Sequence, residues 1–254
     1  MSGGKTQDTG AAAADDTGSA PVTFVTGGSS GIGAETVRRL LAAGHRVAAT
    51  GRSEAKLAAL ADQADRLGTG GRLLTFAGDA ADWDEVSAAV GETVRVFGRL
   101  DNAIANAGFA VDGNIETGDP AQWRDMVLTN VLGPALLVRA ALPALKESQG
   151  RIVLVGSVAG FKNTPGNMYS ATKWAVTGLA ENVRMLVTGY GVGTTLIAPG
   201  RVLTPFWDER PGGAAAAGPM ISAEQLVDSV MWAIGQPAGV DVNTLVVRPI
   251  GQPN

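Results

Sequence analysis

The chain has 254 residues, 45% of them hydrophobic, with a single histidine, no cysteine and a formal net charge of -4. That length and apolar content suffice for one domain with a substantial core, and the missing cysteines exclude a disulfide framework, a thiolate metal site and a thiolate nucleophile. The small negative charge gives no electrostatic reason to expect nucleic acid or an anionic membrane as partner.

The first twenty residues, MSGGKTQDTGAAAADDTGSA, are small, polar and acidic, with no apolar stretch behind a basic start. They read as a disordered leader and not as a signal peptide. No later stretch reaches the length of a membrane span, and the expected location is the cytoplasm. From Pro21 onward, short β-rich runs alternate with longer helical stretches, the pattern of a parallel sheet covered by helices on both faces. Strands are predicted over 22–26, 46–50, 72–76, 102–105, 152–155, 194–197 and 244–247. Helices are predicted over 34–43, 54–65, 83–97, 122–145, 168–188 and 223–234, with Gly44, Gly98, Gly150 and Gly189 as exits. Seven strands fill one doubly wound α/β sheet, so residues 21–254 form a single domain. Gly133 and Pro134 predict a kink in the fourth helix. The stretch 208–219, DERPGGAAAAGP, is too rich in glycine, proline and alanine for a strand. It reads as a mobile loop at the carboxyl ends of the strands, where an α/β enzyme places a substrate lid. His45 reads as a turn residue, because no second histidine exists to complete a metal site.

The segment FVTGGSSGIG, 24–33, passes from a predicted strand through a glycine turn into a predicted helix, the context a phosphate-binding loop needs. Gly27, Gly31 and Gly33 allow close backbone approach, and Ser29, Ser30 and Ile32 lie between them. The N–H groups of the turn and the positive helix end then meet a pyrophosphate. A dinucleotide without an extra phosphate would prefer an acid at the end of the second strand for its ribose hydroxyls. Thr50, Gly51 and Arg52 stand there instead. Arg52 with Ser53 offers guanidinium and hydroxyl donors suited to a 2′-phosphate, favouring NADP(H) with NAD(H) as the runner-up, although an arginine at a strand end is also at home in solvent. Asp79, in AGDA after the third strand, suits an adenine amino group or a turn cap equally well.

Tyr169 and Lys173, in YSATK, share one face of a predicted helix at i and i+4. The ammonium favours phenolate over phenol and makes the tyrosine a usable proton donor near neutral pH. Together these segments resemble the short-chain dehydrogenase/reductase (SDR) family, over essentially the whole chain after the leader. TGGSSGIG resembles its cofactor loop, and ANAG, 105–108, resembles its segment after the fourth strand. Asn130 in TNVLG, Ser157 in GSVAG and the Tyr169–Lys173 pair match its catalytic residues, and Pro199 with Gly200 matches its nicotinamide turn.

The resemblance implies a Rossmann-type fold and an NADP-dependent oxidoreductase that reduces a hydrophobic ketone or aldehyde reversibly. In that scheme Tyr169 protonates the developing alkoxide, Ser157 hydrogen-bonds the same oxygen, Lys173 binds the nicotinamide ribose, and Asn130 orders a water that links Lys173 to solvent. Ala80, Asn106, Ala107, Gly108, Val202 and Thr204 join the cofactor contacts. Phe109, Val158, Ala159, Phe161, Thr164, Met168, Leu203, Phe206 and Trp207 are expected around the substrate. The family also implies self-association through the helices 122–145 and 168–188, as a homodimer or homotetramer. An NAD-dependent alcohol dehydrogenase would share every catalytic residue and differ at the end of the second strand. A noncatalytic dinucleotide-binding regulator would be marked by loss of Ser157, Tyr169 or Lys173, all of which are present.

Overall fold

The computed structural model describes residues 20–208 and 213–253. Seven strands form one sheet: β1 (Val22–Val25), β2 (Arg46–Gly51), β3 (Leu73–Ala77), β4 (Asn102–Ala105), β5 (Arg151–Val155), β6 (Gly193–Pro199) and β9 (Thr244–Val247). Every pairing is parallel and the order is β3-β2-β1-β4-β5-β6-β9. The helices between them are α1 (Gly31–Ala42), α2 (Glu54–Arg66), α3 (Trp83–Phe97), α4 (Pro120–Val127), α5 (Gly133–Ser148), α6 (Met168–Val187) and α8 (Ala223–Ile234). This is the doubly wound Rossmann-type architecture, in one domain.

The strands are apolar on both faces because each face carries its own core. In β5, Ile152 and Leu154 pack with α3, α5 and α6, whereas Val153 and Val155 pack with α1 and α8. Strand periodicity of two is what sends alternate residues to opposite cores. The chain runs outward through β1, β2 and β3 and then returns to β4 beside β1. That reversal leaves a crevice at the carboxyl ends of β1 and β4, the place where an open α/β sheet binds its ligand.

Four local expectations change. The helix over 122–145 is two helices joined by a five-residue π turn, Leu128–Leu132. The irregularity therefore precedes Gly133 and Pro134: the α-helical donor for the Asn130 carbonyl would be residue 134, and proline has no N–H. The strand over 72–76 starts at Leu73, since Arg72 closes a 3₁₀ turn on Thr69. Within the stretch 208–219, residues 209–212 lie outside the described residues, and the alanine run forms a short helix, α7 (Gly213–Ala217), as alanine's helix propensity favours. The segment is bracketed by β7 (Val202–Leu203) and β8 (Ile221–Ser222), which pair with each other. Finally, Pro120–Ser148, helical over 29 residues and containing an 18-residue window with a mean hydropathy of 1.5, is long and apolar enough to cross a membrane by length and composition, contrary to the expectation that no stretch is. Here its Met126, Leu137, Ala141 and Leu145 are buried in the protein. The expected leader lies outside the described residues except for Ala20.

Candidate active site

A cleft of about 450 Å³ opens at the crevice between the β1 and β4 loops and continues over β5 to the turn after β6. Gly27 holds a φ of 65°, which an L side chain rarely adopts, and a Cβ at Gly33 would lie 2.0 Å from the Gly27 carbonyl oxygen. The loop therefore folds onto the first turn of α1 only with glycine at these two positions. Asn106 ties the two sides together: its Nδ2 donates to the carbonyls of Thr26 and Gly27, each at 3.1 Å. Thr26 Oγ1 accepts in turn from the Asn106 and Ala107 N–H groups. The start of α1 has no side-chain cap at Ser30 and no acid in its first turn, so its positive end faces the cleft uncompensated. This cradle fits a dinucleotide pyrophosphate.

At the end of β2, Gly51, Arg52 and Lys56 all line the cleft. A Cβ at Gly51 would lie 2.5 Å from Ser29 Oγ, so an acidic side chain at Gly51 would have to displace Ser29. The Arg52 guanidinium sits 5.7 Å from the centroid of the Phe109 ring, within reach of a cation–π contact.

Past the β5 end, Ser157, Tyr169 and Lys173 line the same cleft. Asn167 caps α6 by accepting from the Ser170 N–H at 2.7 Å, which fixes the turn that presents Tyr169. Lys173, one turn on, is 5% exposed. Its Nζ donates to the Val155 carbonyl at 2.9 Å and lies 5.7 Å from the Tyr169 ring centroid. Burial pushes the Lys173 ammonium from 10.5 down to about 8. A charge held there at neutral pH acts in a low-dielectric setting, where its pull on a nearby phenol is strong. Ser157 accepts from the Ala159 N–H at 3.1 Å, leaving its own hydroxyl hydrogen for donation. The Phe206 ring lies 6.0 Å from the Tyr169 ring, with Trp207 edge-on to Phe206 at 5.4 Å.

Of the expected cofactor residues, Gly27, Ser29, Ser30, Gly31, Ile32, Arg52, Ala80, Asn106, Ala107, Gly108, Pro199, Gly200, Val202 and Thr204 line the cleft. Gly33 lies beneath it, against Gly27. Ser53 is occupied in capping α2, accepting from the Lys56 N–H at 3.3 Å. The Asp79 carboxylate closes a turn by accepting from the Ala81 N–H at 2.9 Å, and Asp79 is not among the lining residues. The side chain of Asn130 is buried and bonded to Phe109 and Thr172, not to Lys173.

On the substrate side, Phe109, Phe206 and Trp207 line the cleft, with Phe109 beside Arg52. Val158, Ala159, Phe161, Thr164, Met168 and Leu203 do not. The loop after Ser157 is drawn back onto α6: Ser170 Oγ donates to the carbonyls of Ala159 and Lys162, and Trp174 Nε1 to that of Lys162. Sequence reasoning missed Lys56, Gly78, Ala110, Thr129, Val155, Gly156 and Pro205 as lining residues. Only Lys56 carried a signal, as a second cation one turn after Arg52.

Known proteins are similar to this chain in sequence and in fold. A family model described as short chain dehydrogenase matches residues 21–213. An uncharacterized oxidoreductase of Staphylococcus saprophyticus is 33% identical over 233 residues, which cover 90% of this chain and 97% of that one. Sulfoacetaldehyde reductase 2 of Chromohalobacter salexigens is 34% identical over 242 residues, covering 91% and 95%. An alcohol dehydrogenase structure from the archaeon Thermococcus sibiricus, complexed with 5-hydroxy-NADP, superposes with a TM-score of 0.83 at 24% identity, over 91% of this chain and 97% of that one. Identity at this level, sustained along nine-tenths of the length, makes the chain a member of the short-chain dehydrogenase/reductase family of oxidoreductases.

Proposed function

We propose that the protein is an NADP(H)-dependent reductase of an uncharged, hydrophobic ketone or aldehyde, working reversibly. The observation that carries this reading is the shared cleft: Tyr169 above the buried Lys173 at one end, and Arg52 at the other. When bound, the nicotinamide supplies the hydride in reduction and takes it up in oxidation. Tyr169 gives its phenolic proton to the carbonyl oxygen as the alkoxide develops, and Ser157 donates a hydrogen bond to that oxygen. Lys173 holds the ribose and keeps the phenolate accessible, while the glycine loop and Asn106 orient the dinucleotide so that hydride and carbonyl carbon meet.

The substrate class follows from the lining. Phe206 and Trp207 form an aromatic wall beside Tyr169. Among the described lining residues the cations are Arg52, Lys56 and Lys173, of which two belong to the β2 corner and one serves Tyr169. None remains to hold a carboxylate or sulfonate, so a neutral apolar carbonyl fits best. The Chromohalobacter relative's name assigns a sulfonated aldehyde to that protein; the aromatic wall here favours a different choice.

The protein also self-associates in this reading, through α4, α5 and α6. Val127 on α4, Leu132 on the π turn that leads into α5, and Trp174, Met185 and Leu186 on α6 expose large apolar side chains, more than scattered exposure needs. A twofold pairing would bury them and brace the helix bearing Tyr169 and Lys173. Sedimentation at micromolar concentration should show a dimer or tetramer, and a monomer alone would end this part of the proposal. The enzymatic part is tested with a panel of carbonyl compounds, following NADPH and NADH consumption at equal low concentration. Faster turnover with NADPH on apolar ketones or aldehydes is expected; faster turnover with NADH would reverse the cofactor assignment.

A further inference from the structure

Arg52 does not stand alone at the β2 corner. Lys56 lines the same cleft, and its place in the helix is electrostatically wrong for a free protein. Ser53 is the N-cap of α2, accepting from the Lys56 N–H, so Lys56 occupies the third position of the first turn. Acids are favoured there and cations are not, because the helix end is already positive. Arg52 immediately precedes the cap, which adds like-charge repulsion. Glu54, the acid of the same first turn, partly offsets the helix end but is exposed and not part of the cleft lining, so the cations alone face the opening. Two cations and a helix N-terminus crowded at one cleft edge form a local conflict of the kind that ligand sites tolerate.

Charge arithmetic says what relieves it. A phosphate monoester carries about -1.5 to -2 at pH 7, so one guanidinium leaves roughly half of that charge unmatched. Arg52 is directed by its contact with Phe109, and Ser29 Oγ fills the space that a side chain at Gly51 would take. The corner therefore has a hydroxyl, an oriented guanidinium and an exposed ammonium around one opening. We infer that Lys56 is a second specificity-determining cation, sharing the 2′-phosphate of NADP(H) with Arg52. This rests on the NADP(H) reading above and adds to it a residue and a division of labour: the guanidinium gives direction, the ammonium adds the remaining charge.

The test uses the full chain and calorimetric binding of two probes, adenosine 2′,5′-bisphosphate and 5′-AMP, which differ only in the 2′-phosphate. Lys56→Ala should weaken the bisphosphate about tenfold, as expected for one lost charge-assisted contact, and leave 5′-AMP unchanged. Lys56→Arg should restore most of the loss. Equal urea midpoints for Lys56→Ala and the unaltered protein would confirm that folding is intact. A bisphosphate preference that is undiminished in Lys56→Ala, or an equal weakening of both probes, overturns the assignment of Lys56 while leaving the cofactor reading standing. An unaltered protein that holds both probes equally overturns the cofactor reading itself, and this inference with it.

Discussion

Asn130 takes up both backbone polar groups of Phe109: its Oδ1 accepts from the Phe109 N–H at 3.0 Å, and its Nδ2 donates to the Phe109 carbonyl at 2.8 Å. The same Nδ2 donates to Thr172 Oγ1 at 3.0 Å. The β4 loop is thus held to the π turn and to α6 by one amide. Asn130→Ala should lower stability by about 2–4 kcal/mol, since it leaves two backbone groups and a hydroxyl without their partner in a site that is 1% exposed. Urea unfolding measures this, and a loss under 1 kcal/mol would mean that water replaces the amide.

Replacing Tyr169 by Phe keeps the ring beside Phe206 and removes only the proposed proton donor. NADPH binding should stay within about twofold, while turnover should fall at least about a hundredfold, the usual effect of deleting a positioned acid. Cofactor binding by fluorescence, paired with steady-state kinetics, separates the two effects. Near-normal turnover with normal binding would remove Tyr169 from the role.

Lys173 gives the folded protein a stability that depends on alkaline pH. Its ammonium is pushed from 10.5 down to about 8 by burial. Below pH 8 it is charged in both states, and burying that charge is a constant penalty. Between about pH 8 and 10.5 the unfolded chain binds the proton and the folded one does not, so stability rises with pH by an amount on the order of 3 kcal/mol. Lys173→Met should abolish that rise. Urea midpoints of both proteins across pH 7–10 check it, and parallel curves would contradict it.

His45 acts at the other end of the scale. Thr23 Oγ1 lies 3.0 Å from its Nδ1, and burial lowers its pKa below 6.5, opposed by Asp101 and assisted by Arg72. As pH falls through 6.5 the unfolded chain takes up the proton first, so stability declines just below that pH. His45→Gln should flatten the thermal-melting midpoint between pH 6.5 and 5 relative to the unaltered protein.

Much of this could be read from the chain itself because it rests on local chemistry. Apolar runs at strand spacing located all seven sheet strands within about two residues. The glycine loop, the GSVAG segment and the YSATK helix point to Gly27, Ser157, Tyr169 and Lys173, which line one cleft. What the sequence leaves open concerns groups whose placement is decided by a neighbouring segment. Asp79 suits a turn cap or an adenine contact equally in the sequence, and the structure shows the turn cap, its carboxylate accepting from the Ala81 N–H while its own N–H donates to Glu85. The residues after Ser157 face away from the cleft because Ser170 and Trp174 pull on Lys162. The π turn came from an extra residue per turn, which hydrophobic periodicity resolves poorly.

Pro134 sets local helix regularity against the packing of the β4 loop. With any other residue there, the Asn130 carbonyl would regain an N–H four residues ahead, and the chain could wind as one regular helix. Such a change would add one helix bond, about 1 kcal/mol, while erasing the irregular turn that seats Asn130 against Phe109. Position 134 is therefore one where a more regular helix gives a less stable protein, because the proline's missing bond is outweighed by the three that Asn130 makes.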